Sequence, residues 1–268
     1  MKLIAPTFAT LCFAAMTDAS AGSAKPDPKP APHVQQVTPQ LYDYTTKLLF
    51  GEVWKRTELA RRDRSLITIS ALIAGGQSAQ LTSHLNLGLD NGLTPREIGA
   101  IITHLAFYAG WPSAMSATTV ADQVFSTRAI DTATIAPPAA ELLALDEASE
   151  SKRRAAVQSA TGEVAPKLGE YTNDVLFAEL WRDPGLSARD RSLVTVASLI
   201  AQGQAAQLPF HLNRAMDNGL STAEASEVLT HLAFYVGWPK AMSAGQCSRR
   251  CSRHGGKRPA SKWPCWRH

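Results

Sequence analysis

The sequence lacks the marks of several protein classes. The 268 residues carry a formal charge of only +4, and they contain no basic run with interleaved aromatic residues, so nucleic acid is not an expected partner. Beyond the N-terminal segment no stretch is apolar enough for a membrane helix, so no membrane partner is expected either. No stretch of useful length alternates polar and apolar residues, which argues against strands.

Cysteine is scarce and lies at the two ends of the chain. The four cysteines are Cys12, Cys247, Cys251 and Cys265. Thiol and disulfide chemistry are therefore not expected in the residues between them. Hydrophobic residues make up 45% of the chain and charged residues 19%, a composition typical of a globular protein with a core.

The first residues have the pattern of a secretory signal. Lys2 is followed by a mostly apolar stretch at 3–16 and by Ala19-Ser20-Ala21, a small-x-small cleavage site. We expect a signal peptide at 1–21 and a periplasmic or secreted protein. Alternating prolines after it predict an extended linker at 22–37.

The strongest feature is an internal repeat. Residues 49–117 align without a gap to residues 176–244, and about 40 of the 69 aligned residues are identical. Shared strings include Arg-Asp-Arg-Ser-Leu at 62 and 189 and Asp-Asn-Gly-Leu at 90 and 217. A unit of this size leaves an apolar face uncovered. We therefore predict that repeat 1 (38–130) and repeat 2 (167–244), joined by a connecting segment (131–166), pack as a pseudo-two-fold pair.

Each repeat is predicted to be all-α. Apolar residues three and four apart from Leu66 to Ile73 indicate a buried helical face. Gly92 is expected to end the next helix, and Thr94 with Glu97 predicts a capping box that starts another. The Trp-Pro pair at 111 is expected to open the last helix of the repeat.

The end of the chain departs from the repeat. Residues 245–268 form a Cys-, Arg- and Trp-rich string without helical period. The string can be back-translated with TCN codons for serine and CGN codons for arginine, and then read in a shifted reading frame. The shifted codons permit the residues found in repeat 1 at Val120, Val124, Phe125 and Arg128. We expect a frameshifted, disordered tail and a shortened last helix in repeat 2.

Two further strings occur in both repeats: Gln-x-x-Gln-Leu-x-x-His-Leu at 77 and 204, and His-Leu-Ala-Phe-Tyr-x-Gly-Trp-Pro at 104 and 231. Together with the motifs above, they resemble the carboxymuconolactone decarboxylase family. That family belongs to the AhpD-like superfamily of helical bundles. The resemblance implies assembly as trimers or hexamers of the unit, and decarboxylation without a metal or organic cofactor. We expect a homo-oligomer, a trimer of two-repeat chains, that acts on a small anionic substrate such as a carboxylated lactone.

Two other functions stay open at this point. One is a non-catalytic binding or structural member of the family. The other is an alkylhydroperoxidase-like peroxidase, which is disfavoured because its Cys-x-x-Cys positions hold Gln77 and Gln80 in repeat 1 and Gln204 and Gln207 in repeat 2. An amide forms neither a thiolate nor a disulfide.

The resemblance and the chemistry of decarboxylation select the candidate site. An arginine can hold a retained carboxylate, and a histidine can deliver a proton to carbon. The predicted catalytic residues are His84, His104, His211 and His231. The predicted substrate-binding residues are Arg62, Arg64, Gln80, Arg189, Arg191 and Gln207, and the predicted orienting residues are Glu52 and Glu179.

Structural interpretations of the same residues are also open. Arg62 and Arg189 suit solvated charges at a helix start, and Arg64 and Arg191 suit buried ion pairs with Glu52 and Glu179. His104 and His231 suit hydrogen-bonded core histidines, and the four glutamines suit a helix surface. The expected role of Tyr108, Tyr235, Trp111 and Trp238 is packing in the core or at an interface.

Overall fold

The chain folds into helices, and no strand occurs in the residues described here, which are 28–135, 141–144 and 146–252 of a computed structural model. Helix α1 (Pro32–Val37) precedes repeat 1, which contains α2 (Pro39–Asp43), α3 (Arg61–Ala74), α4 (Ser78–Asp90), α5 (Pro95–Ala109) and α6 (Trp111–Thr127). The connecting segment contains α7 (Glu147–Thr161). Repeat 2 contains α8 (Pro166–Tyr171), α9 (Ala188–Gln202), α10 (Leu208–Asp217), α11 (Thr222–Val236) and α12 (Trp238–Ser252).

The predicted helix ends are confirmed. The Thr94 hydroxyl accepts from the Glu97 backbone N–H, and the Glu97 carboxylate accepts from the Thr94 backbone N–H. Ser221 and Glu224 form the same capping box at the start of α11. Gly92, just beyond α4, has φ +99°, a conformation that costs glycine little and other residues more.

The two repeats share one core around α3 and α9, which pack against each other. Helix α5 of repeat 1 packs on α9, and α11 of repeat 2 packs on α3. These exchanged contacts are those of a pseudo-two-fold axis between α3 and α9. The predicted all-α pair of packed repeats is therefore confirmed.

A ring of ion pairs crosses this axis. The Arg62 guanidinium binds Asp190 at 2.7 Å, and the Arg189 guanidinium binds Asp63 at 2.8 Å. Arg62 also binds Glu97, and Arg189 also binds Glu224 at 2.5 Å. Both arginines therefore join the repeats and are not the freely solvated charges that the sequence left open. Binding a substrate, the role we predicted for them, would compete with these carboxylates.

Four elements differ from the sequence expectation. The predicted linker includes the short helix α1, and the connecting segment folds into α7, which packs on α8. Helix α10 begins later than its counterpart α4, because Pro209 lies in its first turn, where no backbone donor is needed. The last helix of repeat 2 is not lost at Ala244, since α12 continues to Ser252. The rest of the expected tail and the expected signal peptide lie outside the described residues.

Within the described ranges, no helix is long and apolar enough to cross a membrane.

Candidate functional site

Two clusters of four aromatic rings lie between the repeats, related by the pseudo-two-fold axis. The first cluster consists of Trp54, His84, His231 and Tyr235, and the second cluster consists of Trp181, His211, His104 and Tyr108. In each cluster the tryptophan and one histidine come from one repeat, and the tyrosine and the other histidine come from the other repeat. Every candidate histidine therefore lies in a site that both repeats build.

The local chain path explains why a tryptophan enters each cluster. A π-helical turn at Tyr44–Leu49 and a 3₁₀ turn at Val53–Lys55 precede α3 and place Trp54 in the core, where it is 1% exposed. Its indole N–H donates to the Tyr235 hydroxyl over 2.9 Å. Trp181 donates to Tyr108 over the same distance. Since each tyrosine oxygen accepts from an indole, its own O–H proton stays available for another acceptor.

His104 and His231 are hydrogen-bonded core histidines. Both are 0% exposed. Arg64 Nη1 lies 3.2 Å from His231 Nδ1, and Thr68 Oγ1 lies 2.8 Å from His231 Nε2. An arginine only donates, so Nδ1 accepts and Nε2 carries the proton that it donates to threonine. His104 has the same partners in Arg191 and Thr195. With both nitrogens occupied, these histidines position the rings and are not free to transfer protons.

His84 and His211 have an unused nitrogen. The Nδ1 atom of each is buried and has no hydrogen-bond partner. Each ring stacks on the tryptophan of its own repeat, with centroids 6.1 Å apart, and meets the tyrosine of the other repeat edge-on. Burial lowers the pKa of His84 to about 4. Burial and, secondarily, the charge of Arg214 lower the pKa of His211 to about 4. Both rings are therefore neutral at neutral pH.

These two histidines predict a loss of stability in mild acid. Their pKa of about 4 in the folded protein lies below the value of about 6.5 in the unfolded chain. The unfolded chain thus binds more protons between these values, and the free energy of unfolding falls as the pH is lowered through this window, by about 3 kcal/mol per histidine. Urea titrations at a series of pH values measure this fall.

The matched controls are glutamine variants. His84→Gln combined with His211→Gln is expected to reduce the pH dependence. Part of it remains, because burial also lowers the pKa of His104 and His231. His33→Gln, at an exposed histidine of α1, leaves it unchanged. A wild-type stability that stays constant between about pH 6.5 and 4 rules out the buried neutral state.

The buried arginines have different partners in the two clusters. Arg64 is 0% exposed and binds Glu227, which is 2% exposed, at 2.8 Å. The predicted partner Glu52 is exposed, as is Glu179, so the expected buried pairs with these residues are wrong. Position 100, which matches Glu227 in the repeat, is alanine. Arg191 binds the backbone carbonyl of Asp183, and the nearest carboxylate oxygen is Asp183 Oδ1 at 3.5 Å.

The remaining candidates lie at the surface. Gln80 and Gln207 are exposed, as the helix-surface interpretation expects. A pocket of about 180 Å³ lies between α3, α4 and α6, and a smaller one of about 10 Å³ lies among apolar side chains of repeat 2. Neither of these two pockets is lined by a histidine. The histidines and arginines thus meet in packed clusters of rings.

Sequence reasoning missed six residues at these clusters, and it did not consider Trp54 and Trp181 at all. Tyr108 and Tyr235 were expected to pack in the core, although each follows a candidate histidine by one helical turn. Glu227 and Arg214 were overlooked because the candidates were chosen among the residues that are identical in the two repeats. These two residues replace Ala100 and Leu87 of repeat 1, and a search for charged exceptions to the repeat would have found them.

Comparison with known proteins agrees with the motifs. The model of the carboxymuconolactone decarboxylase family matches residues 39–123 and again 166–247. The chain is 39% identical over 83 residues to 4-carboxymuconolactone decarboxylase of Acinetobacter baylyi. This match covers 31% of this chain and 62% of that protein. It is 33% identical over 81 residues to nitrosuccinic acid decarboxylase npaB of Metarhizium robertsii, which covers 30% of this chain and 57% of that protein. The matches thus span about three fifths of each relative.

Proposed function

Because this chain belongs to the carboxymuconolactone decarboxylase family, we propose that it is a carboxy-lyase that releases carbon dioxide from a small carboxylated lactone or a similar polycarboxylate. The names of both similar proteins support a decarboxylase at this coarse level. The observation that carries the proposal is the buried, unpartnered Nδ1 of His84 and of His211, each on a ring that meets a tyrosine ring edge-on.

The chemistry of decarboxylation makes two demands on the site. The bond from the ring carbon to the carboxylate breaks, its electron pair is delocalised into the lactone carbonyl, and the ring carbon then takes a proton. A hydrogen-bond donor must stabilise the oxyanion, and an acid must supply the proton. The tyrosine O–H can meet the first need, because its oxygen already accepts from the indole and its own proton can be donated.

The histidine supplies the proton. His211 is neutral in the free protein because its pKa is about 4. A carboxylate bound in this buried site favours the imidazolium and raises that pKa, since an opposite charge nearby stabilises the protonated form. Substrate binding therefore loads the histidine with a proton, which the ring then delivers to carbon. The proton that loads the ring comes from solvent.

The direct test is the release of carbon dioxide by the purified chain. The two substrates to try are 4-carboxymuconolactone and nitrosuccinate, after the names of the similar proteins. Release from either above the uncatalysed rate supports the proposal. Failure with both, by a protein that still binds small carboxylates, would favour the non-catalytic binding function.

Thiol reagents are expected to leave the decarboxylation rate unchanged. None of the four cysteines lies between residues 13 and 246, and the glutamines at the peroxidase positions have no thiol. The rate is measured before and after treatment with iodoacetamide. A large loss of activity would instead favour thiol chemistry and the peroxidase alternative.

A further inference from the structure

The two clusters match in their rings and differ in their charges. Charged exceptions to the repeat are responsible for the difference. Glu227 lies at the first cluster where the second has Ala100, and Arg214 lies at the second cluster where the first has Leu87. Both exchanges make the second cluster more positive.

Asp183, which replaces Arg56 and lies 3.5 Å from Arg191, acts in the opposite direction. The replacement of Glu58 by Gly185 offsets part of this effect. The sum still leaves the second cluster the more positive of the two.

At the first cluster the protein neutralises its own cations. The Glu227 carboxylate binds Arg64 at 2.8 Å and Arg56 at 3.0 Å. Arg56 also binds Glu58 at 3.2 Å. Two arginines thus face two carboxylates, one of which is buried. A substrate carboxylate would have to displace Glu227 or lie beside it, and both are unfavourable in a buried site.

At the second cluster Arg214 has no carboxylate partner. Its guanidinium carbon lies 4.3 Å from the centre of the Trp181 ring and 5.2 Å from that of Phe177. Among the described residues no carboxylate oxygen is within ion-pair distance of it. The side chain is half-buried. Burial lowers the pKa of Arg214, and the more distant carboxylate of Glu150 offsets this only in part.

A second arginine reaches the same aromatic stack from the connecting segment. Arg153 is 5% exposed and lies 4.1 Å above the Phe177 ring. Its Nε binds Glu150 at 2.9 Å and its Nη1 binds Asn173 at 2.9 Å, but its Nη2 is buried without a partner. Together with Nδ1 of His211 and Nε of Arg191, this cluster holds three buried polar atoms that lack hydrogen-bond partners. The first cluster holds two, Nδ1 of His84 and Nε of Arg64.

We propose that the second cluster is the anion-binding and catalytic site, that Arg214 binds a carboxylate of the substrate there, and that Glu227 closes the first cluster to anions. Arg214 follows His211 by three residues in α10, so both side chains lie on one face of that helix. The guanidinium fork holds the retained carboxylate, while His211 serves the carbon that loses carbon dioxide. This assignment rests on the proposed decarboxylase function.

Binding of succinate tests the assignment without relying on activity. Isothermal titration counts the sites per chain and measures their affinity, with neutral succinamide as the ligand control. Arg214→Leu and Ala100→Glu each give the second cluster a residue that the first already carries, so the fold can accommodate them. Arg214→Lys keeps the charge without the fork. Arg154→Leu removes an exposed arginine next to Arg153 and is the charge control.

We expect one succinate site per chain and no binding of succinamide. Arg214→Leu and Ala100→Glu each weaken binding at least tenfold, Arg214→Lys weakens it less, and Arg154→Leu changes it less than twofold. Two equal sites per chain, no binding by the wild type, or unchanged binding by Arg214→Leu would each overturn the assignment. One Arg214-dependent site in a protein that releases no carbon dioxide supports the anion site and refutes only the decarboxylase function.

Discussion

Alanine in place of His211 is expected to lower the rate of carbon dioxide release at least a hundredfold. The ring is the only proton donor proposed for the substrate carbon, and loss of a positioned general acid typically costs about 10² to 10⁴ in rate. The rate constant at saturating substrate should carry most of the loss, because Arg214 still binds the carboxylate. Steady-state kinetics separates the rate constant from the Michaelis constant.

Two further alanine variants distinguish the histidines. His33→Ala removes an exposed histidine outside both clusters and is expected to keep the wild-type rate. His84→Ala changes the first cluster, which Glu227 closes to anions, and is expected to keep most of the rate. If His84→Ala is as slow as His211→Ala, both clusters are active and the assignment of one active site is wrong.

Methionine in place of Arg64 is expected to cost about 3 to 5 kcal/mol of folding stability, because it breaks a buried ion pair and leaves one charge uncompensated. Arg64 and Glu227 are 0% and 2% exposed. The substitution also removes the donor to His231 Nδ1. Urea denaturation at neutral pH measures the loss.

A second substitution at the same pair provides the control. Arg64→Met combined with Glu227→Ala, the residue found at position 100, is expected to recover part of the loss, because the buried carboxylate is then absent. Arg191→Met should cost less than Arg64→Met, since Arg191 contacts no buried carboxylate. A double variant as unstable as Arg64→Met alone would mean that the cost comes from packing and not from the unpaired charge.

The helices could be predicted because their signals are local. Thr94 and Glu97 lie within one turn of each other. The positive φ of Gly92 is a property of that single residue. The pairing across the repeats could not be predicted. Nothing near Arg191 in the sequence indicates that its partner is His104, 87 residues away, because that contact depends on how α9 and α5 pack.

The sequence predicted which residues form the candidate site but not their roles, because the roles depend on contacts between distant parts of the chain. Four histidines and two buried arginines were identified from the motifs, and the structure brings them into two clusters. Their roles follow from partners that the sequence does not show. His104 has both nitrogens occupied and His211 has one free. The connecting segment has no counterpart in the repeat alignment, so the contribution of Arg153 came only from the structure.

A double-mutant cycle most directly tests the central claim, that one active site is built from both repeats. Tyr108 belongs to repeat 1 and His211 to repeat 2, yet their rings are 5.5 Å apart. We predict that Tyr108→Phe with His211→Ala releases carbon dioxide no more than twofold slower than His211→Ala alone, because residues of one site are strongly coupled. If the two rate losses instead multiply in the double variant, the residues act independently and the shared site is contradicted.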